Sequence, residues 1–103
     1  MGKTVTHKDE MMKDVLVVIG AGSIGVAIAR RVGVGKHVLL ADVKPENAKT
    51  AAEAMLDAGY EVSTATADIS SRESIHALVE RATRIGNVTG ITEAARNMPA
   101  ALL

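Results

Sequence analysis

The sequence contains no cysteine, which excludes disulfide bonds, thiolate metal sites and a cysteine nucleophile. A chain without cysteine fits a reducing compartment, and we expect a cytoplasmic protein. Aromatic residues are almost absent as well, because Tyr60 is the single tyrosine and there is no phenylalanine or tryptophan. Sites that stack nucleic-acid bases need several aromatic rings, so we expect no such site and a core built from aliphatic side chains.

An excess of charge of one sign is also lacking. Twelve basic and twelve acidic residues give a formal net charge of +0, which argues against a broad electrostatic surface for nucleic acid or an anionic membrane. No apolar run approaches the roughly 20 residues that span a bilayer. The 103 residues are instead 48% hydrophobic and 23% charged, the composition of one small globular domain.

Three segments of the chain differ in their pattern. Residues 1–13 are polar and have no sustained period, so we expect a mobile leader. Residues 14–95 alternate between short apolar runs and amphipathic stretches, which predicts an α/β half-domain. Residues 96–103 combine Pro99 with alanines and leucines, and this atypical tail receives no structural assignment.

Four strands and three helices are predicted in the middle segment. The expected strands comprise residues 15–19, 37–41, 60–66 and 88–92, and the first is apolar on both faces, which is typical of a central parallel strand. Right-handed connections give a truncated Rossmann-type doubly wound parallel sheet with strand order 3-2-1-4. The expected inner faces of the helices are Ile24, Ala27, Ile28 and Val32; Ala48, Ala52, Met55 and Leu56; and Ile75, Leu78, Val79 and Ala82. Ser70 and Glu73 have the spacing of a capping box for the third helix.

A glycine-rich loop follows the first predicted strand and opens the first helix. Its sequence is Gly20-Ala21-Gly22-Ser23-Ile24-Gly25, and this context makes the G-x-G-x-x-G pattern indicative of a dinucleotide site. Gly20 permits the tight turn, Gly22 lets a pyrophosphate approach the backbone, and Gly25 lets the helix pack closely on the strand. The alternative is a tight turn without a ligand, which does not require three glycines at this spacing.

Acidic residues end the second and third predicted strands. Asp42 lies 17 residues after Gly25, where a carboxylate can accept both ribose hydroxyls and repel a 2′-phosphate, so NAD is favoured over NADP. Lys44 follows closely and could soften that repulsion. Asp68 could accept a hydrogen bond from an adenine amino group while Ile69 packs on the ring. A loop or capping role is the alternative for each aspartate.

The histidines indicate no further chemistry in the sequence. His7, His37 and His76 have no metal-ligand spacing with one another or with a cluster of carboxylates, so no metal site is expected. His76 is expected on a solvated face of the third helix. No Ser/His/Asp arrangement is evident, and the lysines at positions 3, 8 and 13 are expected to solubilise the leader.

Taken together, residues 14–95 resemble the N-terminal half of the short-chain dehydrogenase/reductase family. The resemblance rests on V-V-I-G-A-G-S-I-G at 17–25, L-L-A-D at 39–42, T-A-D-I-S at 66–70 and V-T-G-I-T-E-A-A-R at 88–96. It implies a Rossmann module that binds NAD, with hydride exchanged between the nicotinamide and an alcohol or carbonyl in full-length relatives. By analogy the NAD site would be lined by Gly20, Ser23, Ile24, Asp42, Val43, Asp68, Ile69 and Ala94.

Some positions depart from the family's pattern. Many members have G-x-x-x-G-x-G, and Glu93 and Arg96 stand where the family usually has the Asn and Gly of an Asn-Ala-Ala-Gly loop. The family's catalytic serine and Tyr-x-x-x-Lys pair have no counterpart, because Tyr60 stands at the start of the third predicted strand and position 64 is a threonine. We therefore expect this chain to bind NAD without turnover and to self-associate through the exposed edge of its fourth strand.

Other interpretations of the glycine loop stay open. A non-enzymatic nucleotide-sensing domain, like those attached to potassium transporters, shares G-x-G-x-x-G and the acidic end of the second strand. An S-adenosylmethionine-dependent methyltransferase usually has an acidic residue before a G-x-G-x-G loop, and Val17-Val18-Ile19 supplies none. A purely structural fragment is the third alternative, which binding of NADH would exclude.

Overall fold

The computed structural model describes residues 13–93, and within this range the chain forms one parallel sheet flanked by helices. The expectations for Ala94, for the tail and for the leader up to residue 12 lie outside the described residues. The elements in chain order are β1 (Asp14–Ile19), α1 (Ser23–Val32), β2 (His37–Asp42), α2 (Pro45–Asp57), β3 (Glu61–Thr66), α3 (Arg72–Ile85) and β4 (Asn87–Glu93).

The predicted strand order is confirmed, because the sheet runs β3-β2-β1-β4 with every pair parallel. β1 is paired on both sides, with β2 and with β4. Because all the strands are parallel, their carboxyl ends lie along one edge of the sheet. The pairing of β1 with β4 shifts by one residue, because Val15 is paired with Val88 and the next residue, Leu16, is paired with Gly90. Thr89 is therefore the extra residue of a bulge in β4.

The core consists of one layer on each face of the sheet. Leu16 and Val18 point to the face that α1 and α2 cover, whereas Val15, Val17 and Ile19 point to the α3 face. This alternation follows from the two-residue period of a strand, and it explains why β1 needs an uninterrupted aliphatic run. The aliphatic core expected from the composition is thus present on both faces, and residues 15–18 are almost completely buried.

The buried face of α1 differs from the prediction. The helix buries Gly25 and Ala29, while Ile24 is 38% and Val32 47% exposed. Small residues four apart let the helix backbone approach the sheet, and at Gly33 an added Cβ would lie 2.6 Å from Cγ2 of Val38 on β2. The spacing of the bulky residues therefore predicts the wrong inner face, because Ile24 and Val32 lie on the outer face of α1.

The other helices follow their predicted faces more closely. α2 buries Ala48, Ala52 and Met55, although Leu56 is exposed. The predicted capping box at Ser70 and Glu73 is wrong, because Ser71 is the N-cap of α3 and its Oγ accepts a hydrogen bond from the Ser74 N–H at 3.2 Å. Ser70 lies one residue earlier, in a turn.

Candidate functional site

The glycine-rich loop connects β1 directly to α1 at the carboxyl edge of the sheet. Gly20 has a φ of 101°, a conformation that glycine adopts far more readily than other residues. Its N–H donates a hydrogen bond to the Ala41 carbonyl oxygen at 2.7 Å, which ties the loop to the end of β2. The tight turn predicted at this glycine is therefore present.

The N-terminus of α1 presents uncapped backbone N–H groups. Gly22 is the N-cap residue, no side chain caps the helix, and the first helical hydrogen bond runs from the Val26 N–H to the Gly22 carbonyl oxygen at 3.0 Å. The N–H groups of Ser23, Ile24 and Gly25 precede that bond and have no acceptor within the helix. Together with the helix dipole, they favour an anion at this position.

The space in front of this helix end is open. An ideal Cβ built on Gly22 would have no heavy atom within 4 Å, and Gly22, Ser23 and Ile24 are exposed. Gly25, by contrast, is buried against the sheet. The loop thus leaves room beside the free N–H groups for a group that approaches the backbone closely.

The carboxylate of Asp42 is fixed beside the glycine loop by two backbone hydrogen bonds. Oδ2 accepts from the Ala21 N–H at 2.8 Å, and Oδ1 accepts from the Lys44 N–H at 2.9 Å. A carboxylate has about four acceptor positions, so these bonds leave roughly half of them for a ligand. Sequence reasoning did not identify these two backbone donors, which depend on the conformation of both loops.

A pocket of about 240 Å³ lies at the same edge, between the ends of β1, β2 and β3. Val43, which is 58% exposed, and Ile69 provide apolar walls, and Asp42 and Asp68 provide carboxylates. The complete lining is Ile19, Gly20, Asp42, Val43, Ala67, Asp68 and Ile69. A mostly apolar cleft with a few fixed polar groups is typical of a small-molecule site.

Asp68 is held in a turn that begins directly after β3. Its Oδ1 accepts hydrogen bonds from Ser70 Oγ at 2.7 Å and from the Ser70 N–H at 2.9 Å. These bonds, the side-chain bond foremost, lower the pKa of Asp68, so its carboxylate stays ionised at neutral pH. Its N–H donates to Ser74 Oγ at 2.8 Å. Because Ser71 caps α3, the capping alternative for the Asp68 side chain is wrong.

Nine of the ten predicted site residues therefore lie along one edge of the sheet. They are Gly20, Gly22, Ser23, Ile24, Gly25, Asp42, Val43, Asp68 and Ile69. The tenth, Ala94, follows the last described residue. Within residues 13–93 no group of three histidine and acidic residues could hold a metal ion, and no helix there has the length and hydropathy to cross a membrane.

A second polar cluster lies at the opposite, amino-terminal end of the strands. His37 Nε2 lies 2.8 Å from Ser63 Oγ, and His37 Nδ1 lies 2.7 Å from Glu61 Oε2. Lys13 Nζ donates to Glu61 Oε1 at 3.0 Å, so this lysine does more than solubilise a leader. No Ser/His/Asp arrangement is expected from the sequence, and the described residues instead contain a Ser/His/Glu series, because the parallel register places His37 opposite Glu61.

Known proteins match this chain over nearly the same residues that form the sheet and its helices. A model of the short chain dehydrogenase family matches residues 13–98. The short-chain dehydrogenase/reductase bsc3 of Alternaria brassicicola is 40% identical over 89 residues, which are 86% of this chain.

Two solved structures illustrate the similarity of the folds. A variant of actinorhodin polyketide ketoreductase with NADPH has a TM-score of 0.72 and 31% identity over 87% of this chain. A short chain dehydrogenase/reductase from Burkholderia phymatum in complex with NAD has a TM-score of 0.65 and 29% identity over 75% of this chain.

All three relatives are considerably longer. This chain spans 32% of the length of the Alternaria relative, and 39% and 28% of the two solved chains. The family match over residues 13–98 includes the glycine loop and the ends of the first three strands. One of the two structures holds NADPH and the other NAD, so a nicotinamide dinucleotide is common to both.

Proposed function

Because this chain belongs to the short chain dehydrogenase family, we propose that the carboxyl edge of its sheet binds NAD and prefers it to NADP. The observation that carries the proposal is the fixed Asp42 carboxylate beside the glycine loop, with both oxygens held by backbone N–H groups. The family supports a Rossmann module for a nicotinamide dinucleotide. The choice between the two dinucleotides rests on the charge of Asp42.

The pyrophosphate belongs at the N-terminus of α1. The uncapped N–H groups of the first helical turn would donate to phosphate oxygens, and the open space beside Gly22 would admit them. No acidic side chain lies in the first turn of α1 to repel the phosphates. The residues present therefore fit the negatively charged part of the cofactor.

The adenosine belongs in the pocket between the ends of β1, β2 and β3. The remaining acceptor positions of Asp42 would bind the two ribose hydroxyls, and a 2′-phosphate would meet a second negative charge there. Val43 and Ile69 would contact the adenine ring on its faces. Asp68 uses Oδ1 for Ser70, so Oδ2 is the oxygen that would accept from the adenine amino group. The contact of Ala94 with the cofactor is proposed from the family resemblance alone.

The chain is proposed to bind the cofactor without catalysing turnover. When bound, NAD supplies a carbon that accepts a hydride, and a dehydrogenase also needs a group that moves the hydroxyl proton. Tyr60 does not serve, because its hydroxyl donates to the Arg30 carbonyl oxygen at 2.8 Å, beyond the opposite end of the sheet. The residues at the proposed site hold and orient the adenosine half of NAD, and no proton-transfer group has been identified among them.

The exposed edge of the sheet supports a proposal of self-association. Among the described residues β4 pairs with β1 alone, so the other side of residues 87–92 offers backbone groups to another strand. Ile91 is 48% exposed on this strand. Pairing of two β4 strands from two copies would satisfy these groups and cover the isoleucine.

Calorimetric titration of Asp42→Ala with NAD and NADP tests the proposed cofactor preference. The parent chain should bind NAD more tightly, and the variant should lose about 1–3 kcal/mol of NAD affinity, because a charge-assisted hydrogen-bond pair is removed. NADP affinity should change less, since the lost carboxylate also repelled the phosphate. Asp57→Ala is the matched control, because Asp57 is an exposed residue at the end of α2. Unchanged NAD affinity in Asp42→Ala would contradict the proposal.

A further inference from the structure

We propose that Ser63 is a nucleophile that small activated esters acylate, with His37 as its general base and Glu61 as the positioning residue for His37. The three side chains form one hydrogen-bonded series, Ser63 Oγ to His37 Nε2 at 2.8 Å and His37 Nδ1 to Glu61 Oε2 at 2.7 Å. A nucleophile within hydrogen-bond distance of a base that a third group orients is the arrangement of serine hydrolases. It lies at the end of the sheet opposite the proposed NAD site and does not depend on it.

The register of two strands produces the arrangement. Glu61 and Ser63 are two residues apart on β3 and therefore share one face of the sheet, and His37 on β2 is paired with Glu61. Leu39, two residues after His37, belongs to the core on the α3 side. α3 packs chiefly over β1 and β4, so the outer part of this face, where Ser63 lies, is only half-buried.

The acid fixes the tautomer of the base. The hydrogen bond with His37 and then that with Lys13 lower the pKa of Glu61, so its carboxylate is ionised and can only accept. His37 must therefore donate through Nδ1–H, which leaves the Nε2 lone pair to accept from the Ser63 hydroxyl. The side chain of His37 is 13% exposed, and this partial burial limits competition from water for the same lone pair.

One backbone donor is available for the oxygen that becomes negative during acylation. The Ala67 N–H donates to the Asp42 carbonyl oxygen at 3.1 Å, which places the N–H groups of alternate residues 61, 63 and 65 on the β2 side. The N–H of Thr64, which follows Ser63, then faces the outer side of β3, with which no other strand of residues 13–93 pairs. A donor in this position stabilises the oxyanion, and with only one donor we expect reaction with activated esters rather than with amides.

Acylation of Ser63 by an aryl ester requires no cofactor. Ser63 Oγ attacks the carbonyl carbon of an aryl ester, the new C–O bond forms, and the bond to the phenolate breaks. The hydroxyl proton passes to His37 Nε2 and is then released to water.

The test uses p-nitrophenyl acetate as the probe and the full 103-residue chain. Acetylated residues are mapped by peptide mass spectrometry over time, and Ser23, an exposed serine that neither His37 nor His76 contacts, serves as the internal reference. Ser63 should be acetylated about 100-fold faster than Ser23, the contribution expected of a general base. Equal rates at the two serines would overturn the proposal.

A matched pair of histidine variants identifies the base. His37→Gln should lower the acetylation rate of Ser63 about 100-fold, whereas His76→Gln, which changes an exposed histidine on α3, should leave it unchanged. An unchanged rate in His37→Gln overturns the assignment of the base. Circular dichroism checks that both variants keep the fold.

Discussion

Gly22→Val separates binding of the dinucleotide from folding. The φ and ψ angles of Gly22 are −75° and −172°, which any residue can adopt, and an added Cβ would have no heavy atom within 4 Å. Valine is a poorer N-cap residue than glycine, so we expect a stability loss of about 1 kcal/mol. For a domain of this size that loss lowers the melting temperature by roughly 4–8 °C, and the sheet and helices should persist.

The same substitution should abolish binding, since the valine methyl groups would fill the space beside the free N–H groups of α1. A hydrogen bond to a charged group contributes about 1.5–3 kcal/mol. Displacement of the pyrophosphate from two such donors therefore costs about 3–6 kcal/mol, which is a loss of NAD affinity of at least about 100-fold. Calorimetric titration with NAD measures the affinity, and thermal unfolding followed by circular dichroism measures the fold.

Ala27→Val is the matched control for this experiment. Ala27 is an exposed residue of the same helix, and the substitution again introduces a β-branched side chain. NAD affinity should be unchanged in this variant, with a small stability loss from the lower helix propensity of valine. Retained NAD affinity in folded Gly22→Val would refute the argument and reduce the glycine loop to a turn between β1 and α1.

Three further predictions concern stability and assembly. Gly33→Ala should lower the free energy of unfolding by about 1–3 kcal/mol in urea titrations, because its Cβ would lie 2.6 Å from Cγ2 of Val38 on β2, whereas an undiminished midpoint would contradict the close approach of the end of α1 to the sheet. The hydrogen bonds with His37 and Lys13 lower the pKa of Glu61 below its ordinary value of 4.5. These bonds therefore stabilise the folded state above the ordinary pKa, and the stabilisation is lost as the pH falls through the lowered pKa. Glu61→Gln should therefore have a lower melting temperature than the parent chain at about pH 7 and the same melting temperature in strong acid. An equal difference in melting temperature at both pH values would count against the pairing of Glu61 with His37 and Lys13. Light scattering over a concentration series should show self-association that Ile91→Lys reduces, and a parent chain that stays monomeric would contradict the β4 pairing.

The sequence predicts the sheet and the glycine loop correctly because both depend on local patterns. β1 requires a continuous aliphatic run, each turn that follows a helix contains a glycine, and short connections restrict the strand order. The position of Asp42 at the end of β2 follows from the same reasoning, since the carboxyl ends of parallel strands meet at one edge. These features need no knowledge of which side chains touch.

The packing of α1 could not be predicted from the period of its bulky residues. Ile24, Ile28 and Val32 form a regular stripe, yet the sheet contacts the small residues Gly25 and Ala29. Hydrophobic periodicity weights large side chains, whereas close approach of a helix to a sheet is limited by the smallest ones. Similarly, both Ser70 and Ser71 suit an N-cap, and only the backbone conformation decides between them.

The cluster of His37, Glu61 and Ser63 was missed for a different reason. Its members are far apart in sequence and meet only through the register of β2 against β3. Hydrophobic alternation in β3 is weak, since Val62 is its one strongly apolar residue and the strand is only partly buried. A register cannot be read from such a strand, because a shift of one residue leaves the hydrophobic pattern almost as well satisfied.

An NMR titration of the isotopically labelled chain with NAD tests directly whether the cofactor binds at the carboxyl edge of the sheet, because it locates the ligand on the fold. We expect backbone amide shifts to concentrate at residues 20–25, 42–44 and 67–70, which form this edge. Absence of any shift at millimolar NAD would contradict the claim. So would shifts confined to the opposite end of the sheet, at the pocket of residues 33–36 and 58–60.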